Sequence, residues 1–164
     1  MFFTNTKQKG FTLIELIIVM GIISLLFGFV MVNLLQEQHI VSVNASVDVL
    51  ISDISSQQTK AMLGKSDGVT SSNNYGIYFE SDKYTLFKGN SFSPADAANF
   101  TVMLDENIVF NSVTFPSNIV VFSALSGEVN GFINGNNTIV IANTQGTEIK
   151  RIIINRYGVV KGIE

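Results

Sequence analysis

The sequence predicts an α+β chain in which one long N-terminal helix packs on an antiparallel β-sheet head. Three observations support this prediction. An uninterrupted apolar run lies near the N-terminus, an amphipathic segment with helical spacing follows it, and the rest of the chain consists of short apolar stretches separated by turn residues. Because a helix with one apolar stripe and a sheet with one apolar face can bury each other, these parts suit a two-layer structure.

The composition excludes several classes of protein. Hydrophobic residues make up 46% of the 164 residues, charged residues make up 14%, and the mean hydropathy is +0.35, so the chain is too apolar to be disordered. The absence of cysteine excludes disulfides, thiolate metal sites and cysteine nucleophiles. With His39 as the one histidine, the usual pairs of nucleophile and base are almost unavailable. We therefore expect no enzymatic activity, no cofactor and no metal site.

The first element is the apolar run from Phe11 to Leu35, in which Glu15 is the one charged residue. As a helix it would be about 37 Å long, enough to cross a hydrocarbon core of about 30 Å. Lys7 and Lys9 precede it, so the positive-inside rule predicts a cytoplasmic N-terminus and a C-terminus outside. The run is longer than the apolar core of a secretory signal, and no small-residue cleavage site follows it, which leaves a plain membrane anchor as the alternative.

Glu15 separates a plain anchor from a processed one. An ionised carboxylate near the end of a membrane span is costly unless it is paired. A cut after Gly10 would create an α-amine at Phe11, one helical turn from Glu15 in the same chain or close to it in a neighbouring chain. Pairing between neighbours would favour assembly, because two costly charges would neutralise each other across the interface. The cut would also remove Lys7 and Lys9, leaving 8 basic and 13 acidic residues and a formal charge of −5.

The segment 9–15, KGFTLIE, resembles the cleavage motif of type IV prepilins and type II secretion pseudopilins. This resemblance implies a pilin-like fold. It implies that a prepilin peptidase cuts after Gly10 and methylates Phe11, and that Glu15 neutralises a neighbour's amine during assembly. The implied partners are other pilin or pseudopilin subunits and an inner-membrane assembly platform, and the implied destination is a periplasmic or extracellular filament. Many members of this family have a helix-kinking proline in the apolar run, which this sequence lacks.

The chain divides into four expected parts. These are a leader peptide at 1–10, a transmembrane or filament-core helix at 11–35, the amphipathic half of the same helix at 36–65, and the β-rich head at 66–164. Gly64 is the expected helix stop. The amphipathic half has an apolar face and a polar face, formed respectively by Ile40, Val43, Val47, Leu50, Ile51, Ile54 and Ala61, and by Ser42, Ser46, Asp53, Ser56 and Lys60.

Short apolar stretches between turn residues predict the strands of the head. The expected strands are 76–79 and 84–87, which form a hairpin, then 100–104, 108–110 and 119–122, then 138–142 and 148–154, which form a second hairpin, and finally 159–160. The spacing of strands and turns near the C-terminus loosely resembles that of the H-type pseudopilin (GspH) and FimT-like minor pilin group.

The C-terminal hairpin is locally basic, through Lys150, Arg151, Arg156 and Lys161. Some FimT-like minor pilins bind DNA through basic residues there, so the resemblance implies a DNA-binding alternative. Four charges interleaved only with Tyr157 are a weak electrostatic footprint, and we expect a solvated strand face. Three functions stay open: a structural minor pilin or pseudopilin subunit, a DNA-binding minor pilin of natural transformation, and an uncleaved membrane-tethered head.

Overall fold

The computed structural model describes residues 10–64 and 73–163, with only the helical backbone described for residues 29–42. The expected leader therefore lies outside the described residues except for Gly10. The side chains in the last part of the apolar run and that of His39 also lie outside them. The chain divides into two compact units, Met1–Gln38 and His39–Glu164.

One helix, α1, spans Leu13–Met62, close to the expected bounds. It begins two residues later than the apolar run because Thr12 lies outside the helix and caps it. It ends where glycine permits the chain to turn. Gly64 has a φ of 58°, and its N–H donates to the Ala61 carbonyl at 3.1 Å. This left-handed conformation is the usual helix stop because glycine has no Cβ to clash.

Within the second unit, α1 buries most of the expected stripe: Ile51 is half-buried, the side chain of Ile40 lies outside the described residues, and one residue of the polar face needs a correction. Ser46 was expected on the polar face and is buried instead. It follows Val43 by three residues and precedes Leu50 by four, so helical geometry places it on the apolar stripe. Gln57 is also buried on this stripe, between Ile54 and the last turn. The buried members of the stripe are Val43, Ser46, Val47, Leu50, Ile54, Gln57 and Ala61.

The rest of the described chain forms two four-stranded antiparallel sheets, which confirms the α+β class with an antiparallel β-sheet head. The first has the order β3-β2-β1-β5 and the second has the order β4-β6-β7-β8. Two strands extend well beyond the expected bounds, since β4 runs on to Val113 and β8 runs on to Ile163, and the ends of the other strands lie within one residue of the expected ones. The bounds are β1 Tyr75–Phe79, β2 Lys83–Lys88, β3 Phe100–Met103, β4 Ile108–Val113, β5 Ile119–Phe122, β6 Thr138–Asn143, β7 Ile149–Ile154 and β8 Val160–Ile163.

One apolar cluster joins the helix stripe to both sheets. Ile77 and Phe79 contribute from β1, and Ile139 and Ile141 contribute from β6. In each pair the members are two residues apart, because alternate side chains of a strand point to the same face. The two sheets and the second half of α1 therefore share one core.

Two turns are attached to the last turns of α1. The Gln58 side-chain amide donates to the carbonyl of Gly127 at 3.1 Å and to that of Tyr157 at 2.6 Å. The Leu125 N–H donates to the Ala61 carbonyl at 2.9 Å, which satisfies one of the acceptors that a helix end leaves open. The C-terminal end of the helix is thus bonded to both sheets' connecting loops.

Candidate functional site

The expected processing site lies in exposed, non-helical chain. Gly10 and Phe11 precede α1, and the Phe11 residue is 91% exposed. Nothing lies within 4 Å of a Cβ built on Gly10. A peptide bond in this position can enter a peptidase cleft without unfolding the helix, since exposed irregular segments are the preferred sites of proteolysis.

Glu15 lies one turn inside the helix and folds back over its start. Its Oε2 accepts a hydrogen bond from the Thr12 N–H at 2.9 Å and another from the Thr12 hydroxyl at 2.8 Å. The Glu15 N–H in turn donates to Thr12 Oγ1 at 3.4 Å. This reciprocal pattern is a capping box, in which the N-cap residue and the third helical residue satisfy each other's free donors. The carboxylate is thereby held beside the residue that follows Phe11.

The capping role of Thr12 is the part of this site that the sequence interpretation missed. The sequence analysis assigned no role to Thr12. The signal was present, because a threonine followed three residues later by a glutamate, directly before an apolar run, is the sequence signature of a capping box. The box also explains why α1 begins at Leu13 and not at Phe11.

The first part of α1 has apolar side chains on every side. The exposed apolar residues there are Leu13, Ile14, Leu16, Ile17, Ile18, Val19, Met20, Ile22, Ile23, Leu25, Leu26 and Phe27. A helix that is apolar all round is normally buried among other apolar groups. The residues described contain no helix with both the length and the hydropathy needed to cross a membrane.

The four basic residues of the C-terminal hairpin do not share one face. Lys150 and Arg151 are neighbours in β7, so their side chains point to opposite faces of the sheet. Arg156 lies in the following turn and pairs with Glu128, with 3.7 Å between Nη2 and Oε2. Lys161 is exposed in β8. A phosphate backbone approaching one face would therefore not meet all four charges.

The described residues offer little to a metal ion or a cofactor. Across 10–64 and 73–163 there is no group of three histidine, aspartate or glutamate side chains that could bind a metal. The cavities described for these ranges lie beside α1 or on the surface of the sheets. The features at the N-terminus therefore carry the functional interpretation.

The comparison with protein families agrees with the geometry at the helix start. Residues 5–31 match the model described as the prokaryotic N-terminal methylation motif. The match includes Gly10, Phe11, Thr12 and Glu15 and ends before the β-rich head. No curated protein sequence and no solved structure shows significant similarity to the chain.

Proposed function

We propose that this chain, whose methylation motif supports membership of the type IV pilin and pseudopilin family, is a structural minor pilin or pseudopilin subunit. The match over residues 5–31 is the observation on which the proposal depends. It supports a processed, membrane-anchored subunit that associates with other pilin subunits. In the proposed role the chain is inserted with its N-terminus in the cytoplasm, cut after Gly10 and assembled into a type IV pilus or a type II secretion pseudopilus.

The processing step produces the charge that assembly uses. Hydrolysis of the bond between Gly10 and Phe11 leaves a protonated amine on Phe11, and methylation keeps that amine basic. In the proposed mechanism this amine pairs with the Glu15 carboxylate of a neighbouring subunit. The capping box supports this step, because the two hydrogen bonds from Thr12 fix the carboxylate at the start of the helix before any partner arrives.

The apolar surface of α1 supports the same role. In the membrane it would be covered by lipid, and in the filament by the equivalent helices of neighbouring subunits. Transfer between the two environments costs little hydrophobic free energy, because apolar side chains are buried in both. A peptidase, an assembly platform and an ATPase are the partners that would supply processing and work.

The proposal is tested by measuring the intact mass of the protein extracted from membranes. In cells with an active prepilin peptidase, we expect a chain that begins at Phe11 and carries one added methyl group. In cells without the peptidase, we expect a chain that retains Gly10 and the residues before it. An unprocessed chain in both strains would contradict the proposal and favour the uncleaved, membrane-tethered head.

The pairing step is tested with two substitutions of Glu15. Glu15→Ala removes both the charge and the capping box, whereas Glu15→Gln removes the charge and keeps an acceptor for Thr12. If the charge drives assembly, both variants should still insert and be processed, but roughly tenfold less should reach the filament fraction. Wild-type incorporation of Glu15→Gln would show that helix capping, and not charge pairing, is what assembly needs.

The DNA-binding alternative makes a separate prediction. It requires salt-dependent binding of DNA by the full chain at low ionic strength, lost in the double variant Arg151→Ala, Arg156→Ala. The placement of Lys150 and Arg151 on opposite faces and the pairing of Arg156 with Glu128 lead us to expect no such binding. Binding that falls with salt and with these substitutions would replace the structural role by this one.

A further inference from the structure

We propose that the free edge of β3 in one subunit pairs, antiparallel, with the free edge of β8 in a second copy of this chain. The inference rests on the proposed filament role and adds to it a contact between heads. Both strands are four residues long, and each is the last strand of its sheet in the part of the chain that the structure describes. A row of unpaired backbone groups at a sheet edge is a template for pairing with another chain.

The other two sheet ends are already covered. At β5, Phe122 bridges Val129, and the Asn130 N–H donates to the Val121 carbonyl at 2.8 Å. At β4, the Phe110 N–H donates to the Ser81 carbonyl at 2.8 Å. Within the described residues, the edges of β3 and β8 are therefore the more open ones.

Hydrogen-bond alternation shows which groups of β3 face outward. The Leu104 N–H donates to the Asp82 carbonyl, on the side of β2. Backbone groups alternate in direction along an antiparallel strand, so Val102 also bonds towards β2, while Thr101 and Met103 present theirs to the free edge. A strand added here would receive backbone hydrogen bonds from two residues.

The side chains and cavities around β3 also suit an added strand. Phe100 is 64% exposed and Met103 is 62% exposed, so two large apolar side chains of this end strand are open to solvent. A cavity of about 380 Å³, lined by Gln57, Phe87 and Phe100, opens between α1 and this end of the sheet. A fifth strand beside β3 would cover this cavity and part of both exposed side chains.

The charged residues near the two edges favour β8 as the partner of β3 and favour an antiparallel orientation of the two strands. Asp105 and Glu106 follow β3 after Leu104, whereas Lys161 lies in β8 and Arg156, which pairs with Glu128 in its own chain, precedes β8 in the turn before it. Antiparallel pairing brings the end of β3 to the start of β8, so acidic and basic side chains face each other. Pairing of β3 with another β3 would bring no basic side chain to these acids.

The proposed contact joins two different edges, β3 of one subunit and β8 of the other. Each pair of subunits therefore keeps one free β8 edge and one free β3 edge. A contact of this kind is heterologous, and it extends as an open chain of subunits unless the rotation closes a ring. It is therefore compatible with a helical filament, in which each head would contribute β3 to one neighbour and β8 to the other.

Cross-linking of the full chain tests the contact, and the absence of native cysteine makes it selective. Met103 and Gly162 both lie on the face of their sheet that points away from the core, and nothing lies within 4 Å of a Cβ built on Gly162. In filament fractions of the double variant Met103→Cys, Gly162→Cys, a short bismaleimide should give a ladder of dimers, trimers and larger species. Each single variant should stay monomeric.

Two further variants test whether the ladder of cross-linked oligomers depends on the outer edge of β3. Adding Thr101→Pro removes an outward N–H and the side-chain bond to Thr85 but keeps the backbone bonds to β2, and should reduce the ladder roughly fivefold. Adding Thr101→Val keeps the N–H and should leave the ladder unchanged. Dimers from Met103→Cys alone, or no ladder from the double variant, would overturn the inference. If the same samples contain chains beginning at methylated Phe11, the proposed function stands while this contact fails.

Discussion

Tyr84 and Asp53 form a hydrogen bond between α1 and the first sheet. The Tyr84 hydroxyl donates to Asp53 Oδ2 at 2.6 Å, and the Tyr84 residue is only 1% exposed. Burial, reinforced by the hydrogen bond to Asp53 and by its negative charge, raises the pKa of Tyr84 far above its usual value of about 10. Near pH 10, where a tyrosine of the unfolded chain loses its proton, the Tyr84 hydroxyl of the folded chain therefore stays protonated.

This difference makes stability depend on pH in the alkaline range. Above about pH 10 the unfolded chain loses a proton that the folded chain keeps, so the free energy of unfolding falls with pH by up to about 1.4 kcal/mol per unit. Tyr84→Phe should cost about 1–2 kcal/mol near pH 8, where Asp53 loses its donor. Above about pH 10, the free energy of unfolding of this variant should fall less steeply with pH than that of the wild type. The two values should therefore become similar at about pH 11. Urea unfolding of the detergent-solubilised chain measures both values.

Tyr157→Phe is the control for this experiment, because Tyr157 is exposed in a turn. It should have the wild-type dependence on pH. A constant difference between wild type and Tyr84→Phe across the alkaline range would show that the buried hydroxyl ionises as readily as in the unfolded chain.

Leu125 has a strained backbone and an exposed side chain. Its φ is 68°, in the left-handed region that costs an ordinary side chain about 1–2 kcal/mol, and it is 69% exposed. The hydrogen bond from its N–H to the Ala61 carbonyl holds the loop in this conformation.

We expect Leu125→Asn to raise the free energy of unfolding by about 0.5–1 kcal/mol, because asparagine tolerates this region better than leucine does. Leu125→Ala keeps the strain and should remain within about 0.5 kcal/mol of the wild type. Thermal unfolding of the three proteins would compare them. Equal stability of the asparagine and alanine variants would show that strain at this position is relieved in another way.

At the scale of the element, β1 depends on having no side chain at Gly76. A Cβ built there would lie 2.8 Å from the Val120 carbonyl oxygen and would overlap the ring of Phe87. Phe87 is itself buried, so its ring cannot move aside without disturbing its neighbours.

Gly76→Ala should therefore destabilise the chain by roughly 1–3 kcal/mol, the usual cost of overpacking. Gly162→Ala in β8 is a matched control, since the added atom has open space around it and φ there is not positive. It should change stability by less than about 0.5 kcal/mol. If urea unfolding gives both variants the same stability, the ring of Phe87 must have an alternative position.

The elements themselves were largely predictable from local patterns. The 3,4 spacing gave α1, and alternation between turn residues gave the two hairpins 76–79 with 84–87 and 138–142 with 148–154. The division of the strands into two sheets was not predictable, because it depends on pairs far apart in sequence, such as β1 with β5. Ser46 and Gln57 were missed as buried residues for a different reason: their side chains are polar, although helical spacing places both on the apolar stripe.

The candidate site also has features that local sequence predicts and features that depend on residues far apart in sequence. Gly10, Phe11 and Glu15 are recognised from a short contiguous motif, and the family match over residues 5–31 confirms the motif as such. The geometry of the basic residues was not available from spacing. Arg156 meets Glu128 only because the turn that carries it packs beside the loop after β5.

At the scale of the whole molecule, the proposed cut after Gly10 would change the charge balance of the chain. The intact chain has a formal charge of −3, and removal of residues 1–10 takes Lys7 and Lys9 with it. The cut form should therefore focus at a lower pH than the uncut form. Isoelectric focusing of protein from cells with and without the peptidase checks this, and a variant with glutamine at both lysines, Lys7→Gln and Lys9→Gln, should show a much smaller shift between the two forms.

The attachments along the second half of α1 have a mechanical consequence. Asp53 bonds to β2, Gln58 bonds to the turns that contain Gly127 and Tyr157, and Ala61 bonds to Leu125 in the first of these turns, while the apolar stripe packs against both sheets. A force along the helix axis would load all of these contacts in shear at the same time. A force perpendicular to the axis would break them one after another. The contacts between the second half of α1 and the two sheets should therefore resist tension along the helix axis better than a force across it.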